Sequence, residues 1–180
     1  MKILKSLNEG ACTNILTDHE RLAALAQTQQ MNSGADEAFD RLTFLAAKLL
    51  KVPLTIVSFV GDDKQYFKSF HGLPEPWASQ REIPIDVSVC QYTLVGSTLS
   101  LADAREHPLL SGNPAIPALS LVGYLGVPLL DDDGNNLGAF CAISNERREW
   151  SDDDIEVLQA LTKSVMSEIK LKTKIRSLEK

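Results

Sequence analysis

Three cysteines, three histidines and a run of aspartates are the side chains of this 180-residue chain whose types suit them for chemistry. Cys12, Cys90 and Cys141 are odd in number and far apart, no C-x-x-C occurs, and none stands near His19, His71 or His107 in sequence. That spacing speaks against a disulfide framework or a local zinc site and predicts a reducing, intracellular setting. Cys90 falls in a short helix over a loop-rich face, where a helix start lowers a thiol's pKa and favours the nucleophilic thiolate. The competing reading makes it a buried small hydrophobe, the usual lot of a free cysteine. Cys141, inside Phe140-Cys141-Ala142-Ile143, reads as core, and no disulfide between it and Cys90 is expected. His71 at a strand end and His107 before Pro108 are placed either to meet a ligand or to be ordinary surface groups. Asp103 precedes a loop and reads as its cap. No Ser/His/Asp or Cys/His set assembles from spacing alone.

The run Asp131-x-Asp133-x-Asn135 imitates the start of an EF-hand loop, but the sixth position is Asn136 and the twelfth Ala142, so a hairpin turn is expected instead of calcium. Gly123, Gly126, Gly134 and Gly138 fit neither a Walker A nor a dinucleotide fingerprint. Lys and Arg number 18 against 24 Asp and Glu, a net charge of −6. An acidic chain without a basic cluster is a poor match for nucleic acid or for an anionic membrane surface. No apolar run reaches the roughly 18 residues of a membrane span, no signal-peptide core follows Met1, and the protein is expected to be cytoplasmic.

These side chains need a scaffold, and at 19.8 kDa the chain suffices for one domain with some extra helix. Residues 1–16 carry little pattern. Thr17 and Glu20 form an S/T-x-x-E box opening a helix over 18–30. Phe39, Leu42, Ala46, Leu49 and Leu50 predict a second over 36–51, ended by Pro53. The period then changes to strand over 54–60, with a returning strand over 65–71 that sets Tyr66, Lys68 and Phe70 on one side, Phe67 and Ser69 on the other. A Pro-rich loop over 72–85, a short helix over 87–96, a strand over 99–102 and a second loop over 105–119 follow. The segments 121–130 and 136–144 flank an Asp-Gly turn, a strong hairpin signal. Ser151 and Asp154 cap a helix over 152–180, too long for the domain to cover. Helices at both ends of an antiparallel sheet make the class α+β, with the terminal helices on one face and the loops on the other.

Phe39-Asp40-Arg41-Leu42 leading to Val52-Pro53, then Pro84 to Cys90, Leu101-Ala102-Asp103-Ala104, Tyr124-Leu125-Gly126-Val127-Pro128-Leu129, Gly134, Leu137-Gly138 and Cys141-Ala142-Ile143 together resemble a GAF domain. The resemblance is to the bacterial sensory type found in sensor histidine kinases and diguanylate cyclases. It implies a GAF/PAS-like central antiparallel sheet, with loops and short helices covering a small-molecule pocket. It divides the chain into an arm and helix (1–35), the domain (36–170) and a helical extension (171–180). The Asn-Lys…Phe…Asp-Glu signature of the cyclic-nucleotide branch is absent. Bilin-binding branches have Cys followed by His, whereas Cys90 is followed by Gln91 and Tyr92. The free-methionine-sulfoxide reductase branch uses cysteines in the pocket-side loops, and Cys90 is the single one in 72–120.

The resemblance therefore implies a non-catalytic regulatory module binding an unidentified small molecule and passing a signal to an output protein through its terminal helices. Its pocket would take apolar walls from Trp77, Tyr92, Tyr124 and Phe140 and polar points from Cys90, Asp103 and His107. Two alternatives stand beside it: a thiol-redox enzyme using Cys90, and a dimerisation module without a ligand. The stripe Ile155, Leu158, Thr162, Val165, Ile169, extended after a phase shift by Leu171, Ile175 and Leu178, predicts a homodimer through the terminal helices. The rival cover for that stripe is the helix over 18–30 of the same chain.

Overall fold

The structure, a computed structural model, describes residues 3–4 and 14–179; most of the arm over 1–16, with Cys12, lies outside them. Strand β1 (Ile3–Leu4) is followed by α1 (His19–Thr28), α2 (Glu37–Leu50) and the hairpin β2 (Leu54–Val60) and β3 (Lys64–His71). Next come α3 (Trp77–Gln80), β4 (Glu82–Pro84), 3-10 turns at Ile85–Val87 and Cys90–Val95, β5 (Thr98–Leu101), a 3-10 turn at Ala104–Glu106 and α4 (Ala115–Ala118). The hairpin β6 (Gly123–Leu130) and β7 (Asn136–Ser144) leads to the long α5 (Asp152–Leu178). The sheet runs β1-β5-β6-β7-β2-β3-β4, antiparallel throughout except for the parallel β1–β5 edge.

The three long helices α1, α2 and α5 each start where a short polar side chain can take an orphan N–H. On α1 that residue is Asp18, which accepts from Arg21 N at 2.8 Å, one position later than the expected Thr17 box. Asp36 caps α2, and the Ser151–Asp154 capping box opens α5 as read from sequence. The loop predicted over 72–85 holds α3 and β4, and β4 pairs with β3 at the sheet's edge.

Strand alternation gives the sheet two cores. Ile56, Phe67, Leu99, Tyr124, Cys141 and Ile143 face the loops. Val57, Phe59, Leu125, Phe140 and Ala142 face the helices, where they meet Phe39 and Leu50 of α2 and Leu158 and Val165 of α5. The alternation expected for β3 fails at one place. The register slips between Val57 and Ser58, opposite Ser69 and Phe67, so Lys68 is the extra residue of a β-bulge. Lys68 and Ser69 then both bond to the helical side, to Ser33 and Thr43 respectively, while Phe70 packs with the loop-side core.

Lys68 is 2 % exposed, lies 5.3 Å over the Phe39 ring and reaches Ser33 Oγ at 2.7 Å and Gly34 O at 3.1 Å. Its charge is answered by Asp36 Oδ2 at 3.9 Å, an oxygen that also takes Lys172 of α5 at 3.0 Å. Burial pushes the Asp36 carboxyl up, but hydrogen bonds from Lys172 and the Ala38 N–H, with the neighbouring lysine charges, leave it below the usual range. One carboxylate thus ties β3, α2 and α5 together at Lys172.

The stripe from Ile155 to Ile169 is buried against the sheet. Beyond it Leu171, Ile175 and Leu178 lie 55 %, 46 % and 79 % exposed. Helix α1 does lie alongside, and Arg176 Nη1 donates to Thr28 O at 2.7 Å, yet it leaves those three side chains in water.

Candidate functional site

On the loop side of the sheet a polar knot sits inside an otherwise apolar core. Gln65 of β3 donates from Nε2 to Ser58 Oγ of β2 at 3.0 Å, and Ser88 Oγ donates to Gln65 Oε1 at 2.5 Å. Beside them stand two thiols, Cys90 from the Cys90–Val95 turn and Cys141 from β7, with their sulfurs 3.8 Å apart and no bond between them. Tyr124 of β6, fully buried, donates its hydroxyl to Cys90 Sγ at 3.2 Å. Gly126 makes that reach possible. A Cβ at Gly126 would stand 2.6 Å from Tyr124 Oη and 2.7 Å from Cε1, so the ring folds over its own strand only because residue 126 has no side chain.

This setting polarises the two thiols against each other. The Cys90 thiolate is stabilised by the Cys141 S–H and by Tyr124, Ser58 and Gln65, which outweigh the cost of burial and bring its pKa down to about 7. Cys141, left beside that developing charge and buried, is pushed well above the ordinary thiol value. Burial likewise drives the Tyr124 phenol up, with the neighbouring thiols adding to it, so it remains a donor.

Against the knot lies a cavity of about 10 Å³ lined by Gln65, Cys90, Tyr124, Cys141 and apolar neighbours. It shares Ile83, Ala115 and Leu119 with an apolar cleft of about 220 Å³ that adds Trp77, Val87, Pro114 and Ala118. Trp77 thus lines the cleft, Cys90 and Tyr124 line the small cavity next to it, and Tyr92 packs on the same core.

Three candidates go elsewhere. Phe140 points to the helical side, because Ala139 and Cys141 take the loop face of β7 and its neighbour in sequence must turn away. Asp103 and His107 line a separate cleft of about 390 Å³ with Glu106, Trp150 and Asp152. There Asp103 caps the Ala104–Glu106 turn and accepts from Arg105 Nη2 at 2.5 Å and Nε at 2.8 Å, which holds its carboxyl below the usual range. His107 Nδ1 accepts from Leu109 N at 3.3 Å. Both act as turn caps. The acidic run behaves the same way: Asp131 Oδ1 accepts from the N–H of Asp133 and of Asn135, which is hairpin-turn chemistry.

The pocket-side loops 72–120 hold no cysteine besides Cys90, but β7 brings a second thiol, Cys141, to it from outside them. Ser58, Gln65 and Ser88 went unnoticed. For Ser58 and Gln65 a signal was present, as polar residues interrupt two strands that otherwise read as core; Ser88, after the Ile85–Val87 turn, carried none.

The GAF domain family profile matches residues 34–169. Among curated proteins the chain is 29 % identical over 160 residues to the cyclic di-GMP phosphodiesterase PA2567 of Pseudomonas aeruginosa, covering 84 % of this chain and 26 % of that protein's length. Among solved structures it superposes on the GAF domain of a phosphoenolpyruvate-protein phosphotransferase from Coxiella burnetii with a TM-score of 0.65, at 17 % identity, covering 92 % of this chain and 98 % of the other. A free methionine-R-sulfoxide reductase from Neisseria meningitidis in complex with its substrate superposes with a TM-score of 0.61, also at 17 % identity, over 97 % and 98 % of the two chains. These two likenesses concern the fold. With the α+β sheet, the two-sided core and a profile match spanning most of its length, the chain belongs to the GAF domain family.

Proposed function

We propose that the protein is a cytoplasmic, non-catalytic sensory domain that takes a small, largely apolar ligand in the Trp77 cleft and reads it out through α5 in a signalling protein. The observation that supports this reading is the sharing of strands between site and helix. On β6 Tyr124 lines the small cavity that adjoins the cleft and Leu125 faces the helices, and on β7 Cys141 lines that cavity and Ala142 faces the helices. A ligand that displaces either strand must move both cores, since close-packed interiors transmit strain. No helix among the described residues is long and apolar enough to cross a membrane. The cyclic di-GMP phosphodiesterase relative, of which this chain matches about a quarter, is one kind of protein in which such a module works.

Native mass spectrometry of the purified whole chain should find a small molecule carried at one per chain, lost in Leu119→Trp, where an indole fills the cleft. A chain that carries nothing and shows no melting shift with a panel of small apolar and aromatic metabolites would count against the sensor.

Two further expectations accompany this reading. First, methionine sulfoxide with a thiol reductant gives no turnover. Cys141 supplies a second thiol, but a cavity of about 10 Å³ beside Cys90 leaves no room for that substrate. Turnover that disappears in Cys90→Ser would reverse this. Second, the chain is a homodimer through its terminal helices, because Leu171, Ile175 and Leu178 with Phe44, Leu45 and Leu49 leave an apolar surface on the helical layer. Light scattering at tens of micromolar (a concentration of choice) should give twice the chain mass, and a version ending at Lys170 should fall to a monomer. A monomeric whole chain overturns the dimer, and a truncated chain that still dimerises moves the interface off residues 171–178.

A further inference from the structure

The paired thiols carry an inference that goes beyond ligand sensing. We propose that Cys90 and Cys141 form an oxidation site for hydrogen peroxide, with Cys90 attacking and Cys141 resolving to an internal disulfide. Three observations place it. The sulfurs are in contact at 3.8 Å. Around Cys90 stand groups able to donate to a thiolate, Tyr124 at 3.2 Å and the Ser58–Gln65 pair. The space beside them, about 10 Å³, matches one water-sized molecule.

Volume chooses the oxidant. Hydrogen peroxide comes nearest to a water in size among two-electron oxidants, whereas an alkyl hydroperoxide or a glutathione disulfide brings bulk that the cavity cannot hold. The route in is the apolar cleft, whose Ile83, Ala115 and Leu119 also wall the cavity.

The chemistry balances with peroxide as the named oxidant. The Cys90 thiolate attacks one peroxide oxygen, the O–O bond breaks, and the departing hydroxide takes up the thiol's proton to leave as water. Cys90 is then a sulfenic acid. The Cys141 sulfur attacks that sulfur, the S–O bond breaks, and the second water carries away the Cys141 proton. Two thiols and one peroxide give one disulfide and two waters. A resolving thiol in contact also protects Cys90 from further oxidation.

Bond formation needs the sulfurs to close from contact distance. Cys141 is fixed in the middle of the sheet between β2 and β6, so the short Cys90–Val95 turn does the moving. That turn is held to β7 by Asn136 Nδ2 donating to Thr93 O at 2.8 Å, so its displacement reaches the β6–β7 hairpin.

The test is peptide mapping of the intact, folded whole chain after graded hydrogen peroxide, with alkylation of remaining thiols. The mass should fall by about 2 Da, with Cys90 and Cys141 recovered in one disulfide-linked pair that a small phosphine reverses. Cys12→Ser, run alongside, should give the same pair, and Cys141→Ser should stop at a sulfenic acid on Cys90 that dimedone traps. tert-Butyl hydroperoxide should oxidise the pair far more slowly than hydrogen peroxide. The proposal is overturned if Cys90 stays alkylatable under peroxide that oxidises free cysteine, if it advances to sulfinic acid without pairing, or if Cys12 is its partner. Equal rates with the two peroxides would remove the cavity as gate and with it the assignment of hydrogen peroxide. Wild-type mapping alone decides the pairing, so a variant that fails to fold does not rescue it.

Discussion

Replacing Gly138 by alanine should cost about 3 kcal/mol or more, at the upper end of what overpacking does, and lower the melting temperature by about 10 °C for a chain of this length. A Cβ there would stand 2.0 Å from the Ser58 carbonyl oxygen and 2.9 Å from Phe59 Cα. Both are backbone atoms of β2, so no side chain can swing aside; β7 and β2 would have to part in the middle of the sheet. They pair from Leu54 opposite Ile143 to Phe59 opposite Gly138, and Cys141 lies in that same ladder. The damage should therefore appear twice, as lost stability and as a changed Cys90–Cys141 reactivity in whatever fraction still folds. Gly134→Ala is the control. Gly134 also needs a positive φ, of 87°, but nothing lies within 4 Å of its missing Cβ, so only the left-handed strain of about 1 kcal/mol applies. Urea unfolding of the two variants beside the parent decides the matter, and equal losses would refute the clash.

A comparable loss, about 3 kcal/mol, is expected for Arg21→Leu. Arg21 is 3 % exposed, yet among the described residues its guanidinium makes no ion pair; it binds four carbonyls. Nε donates to Ile15 O at 2.9 Å and Nη2 to Leu16 O at 3.0 Å. Nη1 donates to Val60 O at 2.7 Å and to Asn136 O at 3.3 Å. Those oxygens belong to the lead-in of α1, the end of β2 and the start of β7. Burial pulls the Arg21 pKa down, and Asp18 and Asp62 push back from a distance; the group stays charged, as arginine does in proteins. Leucine would keep the packing and leave the carbonyls unanswered, each at a cost of about 1–3 kcal/mol where water cannot reach. Arg21→Lys should recover only part, because one ammonium cannot reach all four oxygens. Full recovery by lysine would show that charge alone matters.

The sequence carried its periodic elements well. Strand period over 54–60, the Asp-Gly hairpin, the Ser151 capping box and the exposed end of α5 are all local signals, and each emerges where read, to within a residue or two. What failed was set by contacts distant in sequence. Lys68 and Phe70 were put on one face because strict alternation knows nothing of a bulge, and the bulge exists because β3 must match β2. Phe140 was given to the pocket although its neighbours Ala139 and Cys141 fixed the opposite phase, so that error lay in the period itself. Cys141 was read as inert core, which its burial supports, but contact with a thiol 51 residues away cannot be seen in a run of four apolar letters. Asp103 was read as a loop cap as well as a polar point of the pocket, and capping is what its hydrogen bond does; His107, read as ligand-facing or an ordinary surface group, also takes a turn N–H. Trp77, Cys90 and Tyr124 share the loop side of the sheet, as the alternation of the strands and the position of the loops implied.

The carboxylate of Asp36, holding Lys172 at 3.0 Å, also sets a rotational reference for whatever is joined to the end of α5. A helix turns by about 100° for every residue added. One residue inserted after Lys172 therefore swings an attached reporter by about a quarter of a turn and carries Ile175 and Leu178 together off the row they share with Leu171. Seven inserted residues bring it back to within about 20°. In fusions of this chain to a reporter that must meet its own copy, output should thus rise and fall with linker length about every 3.6 residues, with a better return at seven than at four, and the row Leu171, Ile175, Leu178 works as the hand of a dial whose zero is fixed at Asp36.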